Sequence, residues 1–142
     1  MEKYYISTDK SLLQLNVIYE FLRKSYWAEN IPIEIVKKSI DHSICFGVYE
    51  SDRQIGFARV ISDMATFAYL ADVFILEEHQ GKGLSKQLMT TIMSHPELQH
   101  LRRWMLGTKD AHGVYEPFGF HALKMSERMM EISRPKIYVE TK

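Results

Sequence analysis

Apolar and polar positions along this chain repeat with two periods, and the switches between them mark the expected elements. Residues 3–7 read as a short opening strand. Leu15, Ile18 and Leu22 then recur at helical spacing, with Val17 and Phe21 alongside, which predicts an amphipathic helix. Asp9 or Ser11 is its candidate cap, and Ser11 and Gln14 have the spacing of a capping box. The stretch Ser25-Tyr26-Trp27-Ala28-Glu29-Asn30 breaks the period, and Pro32 predicts the first turn of a second short helix ending near Asp41. Residues 43–49, 54–61 and 66–76 are strand-like runs separated by turn residues, which predicts an antiparallel meander. In the second run Ile55, Phe57, Arg59 and Ile61 fall on one face by the period of two. In the third, Phe67, Tyr69, Ala71, Val73 and Ile75 fall on one face and Leu70, Asp72 and Phe74 on the other. Both faces are largely apolar, so this strand is expected to be covered on both sides, and Asp72 is a costly charge to place there. Leu84, Leu88 and Ile92 predict a third helix to about Ser94. A strand over 101–108, a short helix from Ala111 to about Pro117 and a last strand through Lys124 complete the pattern. The tail from Ser126 is polar, and only Met129 to Ile132 is expected to pack.

The junction between the third strand of the meander and the third helix carries the first chemical signal. An apolar run ends in Glu77-Glu78-His79-Gln80-Gly81-Lys82-Gly83-Leu84-Ser85. Two glycines allow a sharp turn with exposed amides, and the first amides of a helix lack intrahelical partners at the positive end of its dipole. That makes the bend a candidate anion site, although a plain tight turn accounts for the glycines equally well. It has neither the Lys-Ser/Thr ending of a Walker loop nor a third glycine at Rossmann spacing.

Gln80-Gly81-Lys82-Gly83-Leu84-Ser85 resembles the Gln/Arg-x-x-Gly-x-Gly/Ala loop of the GCN5-related N-acetyltransferase (GNAT) family, with Ser85 where that family has Gly or Ala. Downstream, Asp110-Ala111-His112-Gly113-Val114-Tyr115-Glu116-Pro117-Phe118-Gly119-Phe120 resembles its Ala-x-x-x-Tyr-x-x-x-Gly-Phe segment. With the order of elements, the resemblance covers nearly the whole chain. It implies an α+β fold of order β-α-α-β-β-β-α-β-α-β: a mixed, mostly antiparallel sheet flanked by helices, in one domain over 1–142.

Composition narrows the reading further. The chain has 142 residues, 46% of them hydrophobic, which suits one globular domain with a substantial core. A formal net charge of zero argues against a broad nucleic-acid or anionic-membrane surface. No run approaches a membrane span, and the start of the sequence has no apolar signal region. The one cysteine, Cys45, lies in an apolar run, where a buried inert thiol is expected rather than a nucleophile. No intrachain disulfide can form, which fits a reducing cytoplasm. His42, His79, His95, His100 and His121 show no metal-ligand spacing, so no metal is expected.

The resemblance implies that an amine attacks the thioester of acetyl-CoA directly in a ternary complex. The amides from Gln80 to Ser85, Leu84 included, would hold the diphosphate, with Lys82 and Lys86 adding charge unless they are simply solvated. Backbone of Val73, Phe74 and Ile75 would pair with the pantetheine arm. The amine must lose a proton, since its pKa is about 10.4. Asp72 is the candidate base, with Glu116 in reserve. Related polyamine acetyltransferases carry a glutamate one position earlier, where this chain has Ala71, and a simple pairing of Asp72 with Arg59 is the other reading. Tyr115 stands at the position of the family's general acid, against the alternative of a core tyrosine, and His112 lies one helical turn before it. Tyr26, Trp27, Arg59 and Asp72 are candidates on the acceptor side, although Tyr26 and Trp27 could instead cover the core edge. Asp63, Asp72 and Glu116 would favour a cationic acceptor such as a polyamine, an amino sugar or a lysine-like side chain. The expected partners are thus a small-molecule amine and at most a second copy of the chain, as a homodimer. Rival readings are a non-catalytic acyl-CoA-binding module, or acetylation of a protein amine or an aminoacyl-tRNA.

Overall fold

Five strands form a single sheet in sequence order, β1 (Tyr4–Ser7), β2 (Ile44–Glu50), β3 (Arg53–Ser62), β4 (Phe67–Ile75) and β5 (Arg103–Leu106). This computed structural model describes residues 3–140. The first four strands run antiparallel to their neighbours, whereas β5 runs parallel to β4. Helices α1 (Leu15–Leu22) and α2 (Ile33–Asp41) lie on one face, and α3 (Leu84–Met93) lies on the other. The short helices α4 (His112–Tyr115) and α5 (Ile137–Glu140) follow. The mixed, mostly antiparallel sheet flanked by helices is the α+β architecture expected above.

Each face has its own apolar cluster. Ile18, Leu22, Val36 and Ile40 from α1 and α2 pack with Cys45, Phe57 and Phe74. On the other side Leu84, Leu88, Met89 and Ile92 pack against Phe46, Val48, Ala58, Val60 and Leu70. The helical stripes read from the sequence are therefore the buried stripes. Cys45 is 1% exposed and its thiol is pushed up to about 11 by burial, which makes it inert at neutral pH.

Two bulges overturn the strand faces counted by a strict period of two. Val48 pairs with Gly56 and Tyr49 with Gln54, so Ile55 is the extra residue. It turns into the α3 cluster, while Phe57 stays in the α1–α2 cluster. Between β3 and β4, Phe57 pairs with Phe74 and Arg59 with Ala71, so Ala58 faces both Asp72 and Val73. Asp72 takes a left-handed φ of 56°, which Asp tolerates better than most residues. Beyond it the alternation inverts: Val73 and Ile75 join Ala68 and Leu70 on the α3 side, and Phe74 crosses to stack on Phe21 at 4.0 Å.

Three other expectations fail locally. No capping box forms: Asp9 caps a separate turn at Lys10–Leu12, while Gln14 accepts from the Gln54 amide and donates to the Asp52 carbonyl. Among the described residues no strand follows α4; the chain turns at Gly119 (φ 100°) and runs on irregularly. In the tail Met130 and Ile132 are 96% and 88% exposed instead of packed. Among the described residues no helix is long and apolar enough to cross a membrane.

Candidate active site

The register of β5 opens the sheet. Pairing with β4 runs from Phe67–Arg103 to Leu70–Leu106 and stops, so from Ala71 onward no strand among the described residues flanks β4 on that side. The opening is lined along β4 by Val73, Phe74 and Ile75 and at its end by His79, Gln80, Gly81, Gly83, Leu84 and Ser85. Met89, Phe21, Trp27, Ala111, Val114 and Tyr115 close the remaining walls of this groove of about 430 Å³.

At the end of the groove Gly81 and Gly83 have φ of 77° and 79°, and a Cβ on either would meet nothing within 4 Å. The glycines are therefore needed for backbone conformation and not for space against the protein. Gly83 starts α3 with no side-chain cap, and among the described residues the amides of 81–86 donate to no protein acceptor. The Gln80 amide, expected in the cradle, is taken instead, since it donates to Glu77 O at 3.2 Å. The Gln80 side chain instead donates to the Ile75 carbonyl at 2.9 Å and braces the end of β4. That carbonyl already accepts one bond, which leaves Val73 as the better candidate for pairing with an extended ligand. Lys82 and Lys86 are exposed and form no ion pair among the described residues.

A second hollow, of about 560 Å³, lies across β4 on the α1–α2 face. Its walls include Tyr26, Trp27, Arg59, Tyr69, Asp72 and Asp110. Tyr26 and Trp27, 59% and 41% exposed, line this hollow, and Trp27 also sits beside Phe21 at the core edge, with ring centroids 6.3 Å apart. Tyr26 also reaches across it, its hydroxyl accepting from the Lys109 amide at 3.1 Å. Arg59 Nε donates to Asp72 Oδ2 at 2.8 Å and Trp27 Nε1 donates to Asp72 Oδ1 at 2.9 Å. These two donors keep a buried carboxylate tolerable at 9% exposure.

Of the other acids predicted to face the acceptor, neither lies here. Asp63 is bound by the amides of Ala65, Thr66 and Phe67 and by the Thr66 hydroxyl in the β3–β4 turn, and these donors hold its carboxyl well below the usual range. Glu116 and His112 line a neighbouring hollow with Trp104 and Phe120. Sequence reasoning missed Asp110, Tyr69 and Tyr138 on the acceptor side. Tyr138 comes from α5, in a stretch whose polar flanks give no sign of a wall.

The two hollows share Trp27, Val73, Ala111 and Tyr115. Tyr115 is 9% exposed at that junction, packs edge-on against Phe120 at 6.2 Å, and its hydroxyl has no protein partner among the described residues. Burial, with a smaller contribution from Tyr26, pushes its phenol above the ordinary range, so it stays protonated through neutral pH. Among the described residues no cluster of three His, Cys, Asp or Glu side chains could hold a metal ion.

A family model described as "Acetyltransferase (GNAT) family" matches residues 12–120. The chain belongs to the GNAT acetyltransferase family. It is 36% identical over 130 residues to a Gibberella zeae protein provisionally named an acetyltransferase, covering 75% of this chain and 72% of that one. A crystal structure of a GNAT protein from Xanthomonas campestris pv. campestris superposes with a TM-score of 0.94 at 50% identity, covering 97% of this chain and 98% of that one. A Clostridium acetobutylicum acetyltransferase fold crystallised with acetyl-CoA gives a TM-score of 0.66 at 14% identity, covering 94% and 96% of the two chains. At that identity the likeness is one of fold. Both the sheet opening beyond Leu70 and the glycine bend fall inside the matched span of this acetyltransferase.

Proposed function

We propose that this acetyltransferase moves the acetyl group of acetyl-CoA to a primary amine of a small molecule, by direct attack of the amine in a ternary complex. The observation that carries the reading is the junction at Trp27, Val73, Ala111 and Tyr115, where a groove suited to an extended anionic donor meets a separate polar hollow. The residues present fit acetyl-CoA. Among the described residues the amides of 81–86 lack protein acceptors at a helix start, Lys82 and Lys86 stand beside them, and β4 has a free edge. The acetyl-CoA in the Clostridium acetobutylicum structure supports the same donor.

When bound, acetyl-CoA supplies the activated thioester, and the chain's own residues do the rest. The bend holds the diphosphate, and the main chain at Val73 orients the arm toward Tyr115. Asp72 accepts the proton that the ammonium must lose; its two donors leave lone pairs on both oxygens. As the new N–C bond forms and the C–S bond breaks, the Tyr115 hydroxyl gives its proton to the departing sulfur and is restored by the second proton that the nitrogen sheds.

Thiol release from acetyl-CoA with a panel of amines tests the reading. Tyr115→Phe is expected to lower kcat by roughly a hundredfold while the KM for acetyl-CoA stays within about twofold, because the ring still packs. An unchanged kcat would remove Tyr115 as the proton donor. Stabilisation by coenzyme A in a thermal melt, with no amine turned over, would instead identify a binding module without catalysis.

A further inference from the structure

The acceptor hollow contains a cation whose hydrogen-bonding capacity is only partly used. Arg59 spends Nε on Asp72 at 2.8 Å and one Nη1 hydrogen on Ser43 Oγ at 3.1 Å. A guanidinium has five N–H donors. The remaining three, both on Nη2 among them, meet no protein acceptor among the described residues. Nor are they sealed in the core: the one buried, unpartnered side-chain polar atom among those residues is the Tyr49 hydroxyl. The Nη2 donors are thus reachable, and the hollow that Arg59 lines is the acceptor hollow.

We propose that the acceptor is an amine that also carries a carboxylate, an amino acid or a close analogue, with its carboxylate docked on the free edge of Arg59. The inference rests on the acetyl-transfer reading above and narrows its substrate class. If Arg59 served only to neutralise Asp72, a single donor would suffice, and Trp27 already holds the other oxygen. A planar guanidinium with adjacent free N–H groups matches a carboxylate in a way a point charge does not. The charges also sort the candidates. A bare diamine would bring a second cation beside Arg59 and leave its donors unmet. A zwitterion meets both signs, its carboxylate at Arg59 and its ammonium beside Asp72 and Asp110 in the same hollow.

The test compares matched amines that differ in one carboxylate: lysine with 1,5-diaminopentane, and phenylalanine with phenethylamine. Thiol release by the full chain is measured for each. The carboxylate-bearing member of at least one pair is expected to have a kcat/KM roughly ten- to a hundredfold higher, the range of a charge-assisted hydrogen bond. Equal rates, or preference for the bare amines, would overturn this inference and leave N-acetyl transfer standing. Turnover of no amine at all would overturn both. Arg59→Lys keeps the charge but removes the fork, and is expected to cut the preference within a pair to about threefold or less. A ratio unchanged in a variant that still melts cooperatively would exclude Arg59 as the anchor.

Discussion

At the scale of single residues, Asp72 unites a left-handed φ of 56°, a buried carboxylate and two charge-assisted partners. The pattern of apolar neighbours exposed its cost, which is why it could be picked out from the sequence alone. What the pattern could not carry was the backbone twist, because φ is set by the bulge against Ala58 and not by the residue's own polarity. Tyr49 presents the opposite case, a buried polar group that solves nothing. It is 1% exposed, its hydroxyl has no protein partner among the described residues, and burial pushes its phenol up to about 12. A buried hydroxyl without a bond costs about 1–3 kcal/mol. Tyr49→Phe keeps the stacking on Tyr5 and is expected to raise stability by about 1 kcal/mol in urea unfolding. The pH dependence has a definite sign. The folded pKa lies above the unfolded value of about 10, so the contribution from keeping Tyr49 neutral is present below pH 10 and lost as the pH climbs towards 12. The variant should lack that alkaline step, and lower stability at neutral pH would show that the hydroxyl has a partner.

Among the elements, the turn from β4 into α3 shows how much of a site can be legible in sequence. Two glycines between an apolar run and a helical stripe indicate a bend with free amides, and both glycines adopt the left-handed backbone that this requires. The helical stripes and the antiparallel meander were legible for the same reason, namely that burial on a regular element leaves a period. Bulges leave none. Ile55 and Asp72 each insert one residue, and every face counted past them inverts. The missing last strand has a related cause: Phe120, Ala122 and Leu123 are apolar enough for a strand, but residues 120–124 line hollows facing Trp104 and Met105 without entering the ladder. Gly83→Ala tests the bend directly. A Cβ there meets nothing within 4 Å, so any loss comes from the φ of 79° and not from a clash. The strain of a left-handed alanine is about 1–2 kcal/mol. The expected result is a loss of stability of that size and a KM for acetyl-CoA raised roughly tenfold, as the backbone relaxes and the amides diverge. A stability loss with an unaltered KM would detach the bend from cofactor binding.

For the molecule as a whole, the two hollows meet on β4 and at Tyr115 but are otherwise built from different parts of the chain. The bend and the free edge of β4 frame the donor groove, and α3 supplies its floor through Leu84 and Met89. The acceptor hollow is assembled from the α1–α2 loop, β3, β4, the loop after β5 and, at its far side, Tyr138 of α5. A helix of four residues has too few bonds to hold itself together, so α5 keeps its place through contacts with the rest of the fold. Between it and the body the chain is irregular, with Met130 and Ile132 almost fully exposed. The tail therefore contributes little to the core and one wall to the acceptor hollow. A chain ending at Arg134 is expected to melt within about 1 kcal/mol of the full protein, as surface changes usually do. Its KM for acetyl-CoA should hold, because Tyr138 touches no part of the donor groove. Its KM for the amine should rise several-fold, on the order of one lost side-chain contact. Steady-state kinetics with each substrate varied in turn separates the two constants. A rise in both would mean that the tail orders the whole junction at Tyr115, and a rise in neither would take α5 out of the acceptor wall.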